Sequence, residues 1–171
     1  KPGASCFACK SADFIVQLEN EGVGVNSLSF EDMAKTEMET ISCFDCHRNT
    51  PGTIEITRGH LTKGVEYFEE EFKATDMVCG QCHVEYYLDP ETKEVVLPWH
   101  NGLGTDGMLA YYDDIDFADW VHPTTGTKLL KAQHPEFETF QGSTHSDFGL
   151  SCADCHMPEV ANEKGDKFRS H

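Results

Sequence analysis

The chain has 171 residues, of which 25% are charged and 11% aromatic, and a formal net charge of −17. That length supports one domain with a modest core, and the composition excludes a disordered tail. The acidic balance argues against nucleic acid and anionic membrane surfaces as general partners, and no run of about 18 apolar residues is present to span a bilayer. In chain order, Glu31 to His47 predicts a helix, with good formers around Met33, Ala34 and Met38. Thr53 to Thr57 alternates apolar and polar residues and predicts a short strand. Val65 to Tyr87 predicts a helix with a break at Gly80. Glu94 to Leu97 predicts an edge strand ended by Pro98. Asn101 to Gly107 is glycine-rich and predicts a loop. Thr127 to Phe140 predicts a further helical stretch interrupted at Pro135, and from Met157 onward a polar, irregular segment is expected.

All eight cysteines fall into four Cys-x-x-Cys pairs: Cys6 and Cys9 followed by Lys10, Cys43 and Cys46 by His47, Cys79 and Cys82 by His83, Cys152 and Cys155 by His156. Two thiols three apart can form thioethers with both vinyl groups of one haem, which places the next side chain under the iron. Four-thiolate zinc sites and disulfides are the competing readings. Neither needs a His directly after the second Cys, yet three of the pairs have one. The reading adopted is four haems c, one per pair. The fold class is then mainly α with much irregular structure, a single compact multihaem c cytochrome domain over residues 1–171, organised around covalently bound haems. Porphyrins would supply much of its interior, so little regular sheet is expected and folding should be coupled to haem attachment. Uneven motif spacing argues against a solenoid of identical units. Haem c is attached outside the cytoplasm and the chain begins at Lys1, so a processed or trimmed periplasmic protein is expected.

Lys10 is the exception among the four. An amine binds iron only as the free base, and a plain electron-transfer haem would be served as well by a second His. A haem held by Lys10 from below, with no protein ligand above, would leave a coordination site for substrate. The alternative is a solvated Lys10 and a distant ligand for that haem.

The pairing of Cys6-Phe7-Ala8-Cys9-Lys10 with Cys79-Gly80-Gln81-Cys82-His83-Val84-Glu85-Tyr86-Tyr87 resembles cytochrome c nitrite reductase, the ammonia-forming pentahaem family. Leu130-Lys131-Ala132-Gln133-His134-Pro135-Glu136-Phe137-Glu138 and Cys152-Ala153-Asp154-Cys155-His156-Met157-Pro158 look like the same family, and the likeness runs in order over nearly the whole chain. The resemblance implies six-electron reduction of nitrite to ammonium at the haem ligated by Lys10, with Tyr86 and His134 above it as substrate-binding and protonating groups. It implies a Ca²⁺ held by the Glu85 and Gln133 side chains and the Tyr86 and Lys131 carbonyls, a set of hard oxygens that suits the ion. It makes His171 the distal ligand of the haem at Cys43 and Cys46, and His145 that of a fifth haem whose motif is not in this chain. It also implies a multihaem or quinol-oxidising cytochrome as electron donor, and a homodimer in the full-length enzyme. His60, His100 and His122 match no family role and are expected in exposed loops. The family's fifth motif, its C-terminal helical region and its catalytic arginine are not found, and neither Arg48 nor Arg58 is that arginine's equivalent; the chain is expected to be the central part of a larger enzyme. A multihaem electron-transfer module and an octahaem nitrite or hydroxylamine-type reductase are the competing functions. Leu88 stands where some of the latter carry a cysteine cross-linked to the active-site tyrosine, which favours the pentahaem type.

Overall fold

Short helices joined by long, hydrogen-bonded loops make up the computed structural model, which describes residues 3–171; Lys1 and Pro2 of the expected 1–171 domain lie outside the described residues. The first helix, α1 (Ala12–Glu21), starts where the Ser11 hydroxyl accepts from Phe14 N and stops at Gly22, whose φ of 83° suits glycine. It was not anticipated from the sequence. Its buried face, Phe14 and Ile15, packs with Ala4, Ala8, Val25 and Met33 as the first of two small cores.

The helix expected from Glu31 to His47 is two single turns, α2 (Phe30–Met33) and α3 (Phe44–His47). Between them Thr40 and Ile41 are β-branched, and Asp45 Oδ2 accepts from Ser42 N at 2.6 Å, which starts a new helix rather than continuing the old one. No strand forms at Thr53 to Thr57: the Thr57 N–H is taken by a glutamine side chain, not by a neighbouring strand. The stretch from Val65 to Tyr87 is likewise divided. Helix α4 (Gly59–Val65) ends before a run containing Glu69, Glu70 and Glu71, where like charges oppose helix. Helix α5 (Ala74–Gly80) then carries the third motif, and Tyr87 already belongs to a strand.

The edge strand expected near Glu94 is present as β2 (Val95–Val96), paired antiparallel with β1 (Tyr87–Leu88). Asn101 to Gly107 is a loop only as far as Gly104, after which α6 (Thr105–Asp114) begins. Of the helix expected over Thr127 to Phe140, its first part is strand β4 (Lys128–Leu129), paired with β3 (Trp120–Val121), and only α7 (Glu136–Phe140) is helical. Two further turns follow, α8 (Thr144–Asp147) and α9 (Cys152–His156), the latter opened by a capping box between Ser151 and Asp154. The C-terminal segment is not irregular: β5 (Glu159–Ala161) and β6 (Lys167–Arg169) form a hairpin around Asn162, whose side chain accepts from Lys164 N and Asp166 N.

The second core joins Leu61, Val84, Leu97, Trp99 and Phe137, with Trp99 stacked on Phe137 at 5.4 Å. It lies under the third motif and fixes α5 against α7. Among the described residues the sheets are three isolated hairpins, so sheet is as sparse as the haem-centred reading expects.

Candidate active site

The third motif sits between two others. Cys9 Sγ lies 3.8 Å from Gln81 O, and Cys9 and Cys82 line a common cavity. On the other side Cys79 and Cys152 line a second common cavity. Asp76 on α5 accepts from Cys152 N at 2.8 Å, and Lys73 Nζ donates to the carbonyls of Gly149 and Leu150. None of the eight cysteines is in a disulfide.

Two cavities open at these junctions. One, of about 320 Å³, is lined by Cys6, Cys9, Lys10, His83, Tyr86 and His134. Lys10 and His134 come from segments 124 residues apart, and the fold brings them to the same space. Phe137 N donates to His83 O at 2.9 Å, which anchors the His134 segment on the third motif. Burial pushes the Tyr86 phenol up, so its proton stays on oxygen. The other cavity, of about 460 Å³, is bounded by Cys79, Gly80, Phe137, Cys152, His83 and His156. Gly80 has no side chain for a physical reason: a Cβ there would lie 2.7 Å from the Phe137 ring.

His47 and His171 face each other with ring centroids 5.9 Å apart. His47 Nδ1 bonds Thr53 O at 2.8 Å and His171 Nδ1 bonds Arg169 O at 3.0 Å. Each ring thereby has Nδ1 as the donor and keeps its Nε2 lone pair free, the arrangement in which a backbone carbonyl orients a metal-binding imidazole. With metal–nitrogen bonds of about 2 Å on each side, two such rings could share one iron. His171 reaches this place because Arg169 is clipped to the fourth motif, donating to Asp154 Oδ1 at 2.7 Å and to the Ala153 and Met157 carbonyls. The donor set therefore fits haem c, with His83 and His156 on the apolar cavity.

Glu85 and Gln133 are also brought together. Glu85 is buried; its Oε2 accepts from Gln133 N and its Oε1 from Tyr112 Oη at 3.0 Å. Burial pushes its carboxyl up, and Asp119 adds like charge. Both Glu85 oxygens are taken here by protein donors, while carboxylate and amide oxygens of the kind Glu85 and Gln133 carry are those Ca²⁺ accepts. Lys131 is exposed, with its N–H donated to Asp119 Oδ2 at 2.7 Å. His145 lies exposed on α8.

Among the unassigned histidines, His100 and His122 are exposed, as expected. His60 is not in a loop: it lies part-buried on α4 with Nε2 2.8 Å from Gln81 O, and burial holds its pKa down to about 4. Sequence reasoning also missed Tyr112, Asp119, Glu138 and the buried Arg58. Tyr112 and Asp119 lie outside any motif, and only their aromatic and acidic types hinted at use. Glu138 lies on α7, four residues after a His134 that precedes the helix, so no helical spacing linked the two.

The amino-acid sequence matches the cytochrome c552 family over residues 1–171. The chain belongs to that family. Among solved structures, the cytochrome c nitrite reductase of Desulfovibrio desulfuricans ATCC 27774, described as the catalytic subunit with two calcium sites, is 31% identical with a TM-score of 0.85. The alignment covers 99% of this chain and 40% of that one, so the chain spans about two-fifths of the length of this cytochrome c552 relative. The likeness to nitrite reductases drawn from the four attachment motifs and the segments around them is thus borne out for family and fold. Among the described residues no helix is long and apolar enough to cross a membrane.

Proposed function

We propose that this chain forms the central part of an ammonia-forming cytochrome c nitrite reductase, exported to the periplasm. It carries haem c at each of its four Cys-x-x-Cys pairs, and a fifth haem belongs to the full enzyme, where His145 serves it. The observation that carries the reading is the single cavity shared by Cys6, Cys9 and Lys10 with Tyr86 and His134. A relay haem needs two axial side chains. This cavity has Lys10 directly after its attachment thiols, and Tyr86 and His134 in the same lining as proton-bearing side chains, beside the His83 of the third motif.

A haem held at Cys6, Cys9 and Lys10 would supply a redox-active iron with a coordination site for nitrite. The protein's share of the reaction is orientation and protons. Nitrite, eight protons and six electrons become ammonium and two water molecules, so protons must reach both oxygens and then nitrogen. His134 is exposed to water, so its ring can exchange protons with solvent. Tyr86 keeps its phenolic proton and presents it as a hydrogen-bond donor to the departing oxygen. Ca²⁺ at Glu85, Gln133 and the carbonyls of Tyr86 and Lys131 would tie the segments bearing Tyr86 and His134 together. His47 with His171, and His83 and His156 with ligands from the rest of the enzyme, would hold the relay haems. Electrons would come from a multihaem or quinol-oxidising cytochrome, and the full enzyme would be a homodimer.

Lys10→His in the full-length enzyme tests this. The variant should keep its haems but lose nitrite turnover about tenfold or more, a barrier increase of at least ~1.4 kcal/mol. Unchanged nitrite reduction would sink the assignment.

A further inference from the structure

The first three attachment motifs meet at one buried side chain. Arg58 is 1% exposed, donates from Nε to Ala8 O at 3.0 Å and from Nη1 to Thr57 Oγ1 at 2.7 Å, and is ion-paired with Asp45. Its own N–H and that of Thr57 both donate to Gln81 Oε1, at 3.0 and 2.6 Å. Gln81 Nε2 in turn donates to Asp45 O at 2.9 Å. Ala8, Asp45 and Gln81 occupy one equivalent place: each directly precedes the second cysteine of its motif.

Thioether formation uses the cysteines and does not require these intervening residues to meet. Nor is the cluster explained by stability. A buried ion pair loses hydration that a well-packed apolar group would not, and Arg58 Nη2 finds no acceptor among the described residues. What a rigid, planar guanidinium provides is direction, since its donors leave in fixed orientations that a lysine cannot reproduce. The fourth motif stands outside the cluster, its Asp154 being bound to Ser151 and Arg169 instead.

We propose that Arg58 is a positioning residue that holds motifs one to three in a fixed mutual arrangement. Through Ala8 it holds the wall bearing Lys10. Through Gln81 it holds the third motif, which carries Tyr86 and, by the His83–Phe137 backbone bond, His134. It thereby sets the width of the catalytic cavity, a role that deepens the nitrite reductase reading and rests on it for the kinetic readout alone.

The test compares full-length wild-type enzyme with Arg58→Lys, which keeps the charge and loses the planar fork. The expected result is a full haem complement, a KM for nitrite within twofold of wild type and a kcat lowered at least tenfold. At fixed applied potential, the oxidised-to-reduced ratio of the haems on the first three motifs should change at least threefold, with the fourth unmoved. A fully loaded variant with unaltered kcat and ratios, or one in which all four haems shift alike, overturns the proposal. Should loading itself fail, mass spectrometry of haem-bearing peptides decides: loss confined to the first three motifs supports the role, and uniform loss refutes it. If the nitrite reductase reading were the one at fault, wild type would show no nitrite turnover while the selective shift persisted.

Discussion

Glu138 shows how a buried carboxyl is tolerated beside the proposed calcium corner. Its Oε1 accepts from Glu85 N at 2.9 Å and Trp99 Nε1 at 2.7 Å, while Oε2 is buried with no partner. Burial, with the nearby Glu85 charge, raises its pKa to about 7, so near neutrality much of it is neutral and Oε2 is the natural seat of the proton. Below about pH 4.5 the carboxyl is protonated in the folded and the unfolded chain alike. Between about 4.5 and 7 the unfolded carboxyl ionises while the folded one keeps its proton, so the folded state binds more protons and stability falls as pH rises. The loss reaches about 3 kcal/mol and levels off above that window. Thermal midpoints measured from pH 4.5 to 7.5 should therefore decline less in Glu138→Gln than in the parent; equal declines would contradict the placement of this proton.

Gly80 is the corresponding case among the elements. It lies in α5 inside the third motif, where the helix passes the Phe137 ring of α7 too closely for a Cβ. Gly80→Ala should push the ring aside, destabilise the α5–α7 contact by about 1–3 kcal/mol and lower haem occupancy at Cys79 and Cys82. A thermal midpoint and a haem count unchanged from the parent would show that the ring yields freely. This element also marks where sequence reading succeeds and fails. The motifs were legible because thioether chemistry ties a cysteine spacing to the residue that follows it. Glu85, Tyr86, Gln133 and His134 were legible only through family likeness, since their meeting depends on the α5–α7 packing. Helices expected from propensity, such as Glu31 to His47, broke because side chains like Asp45 bind the backbone locally and end them. Arg58 was set aside because nothing in its surrounding sequence announces that Asp45 and Gln81 will close around it.

For the molecule as a whole, the polypeptide alone buries little. Its accessible surface is 10814 Å², against roughly 8,400 Å² for a typical globular monomer of its mass. Among the described residues its two cores hold eleven buried apolar residues between them, grouped beside the attachment motifs rather than in one centre. Such a chain depends on what is attached to it. A variant with all eight cysteines changed to serine should lack cooperative thermal unfolding and exchange its amide hydrogens rapidly, and a sharp transition in that variant would show that the haems are passengers. The β5–β6 hairpin adds a last consequence. Because Arg169 is fastened to the Cys152–His156 turn while His171, two residues on, reaches His47, a disturbance beside one porphyrin would surface in the colour and midpoint of another. Faults in this protein would be diagnosed at a distance from where they arise.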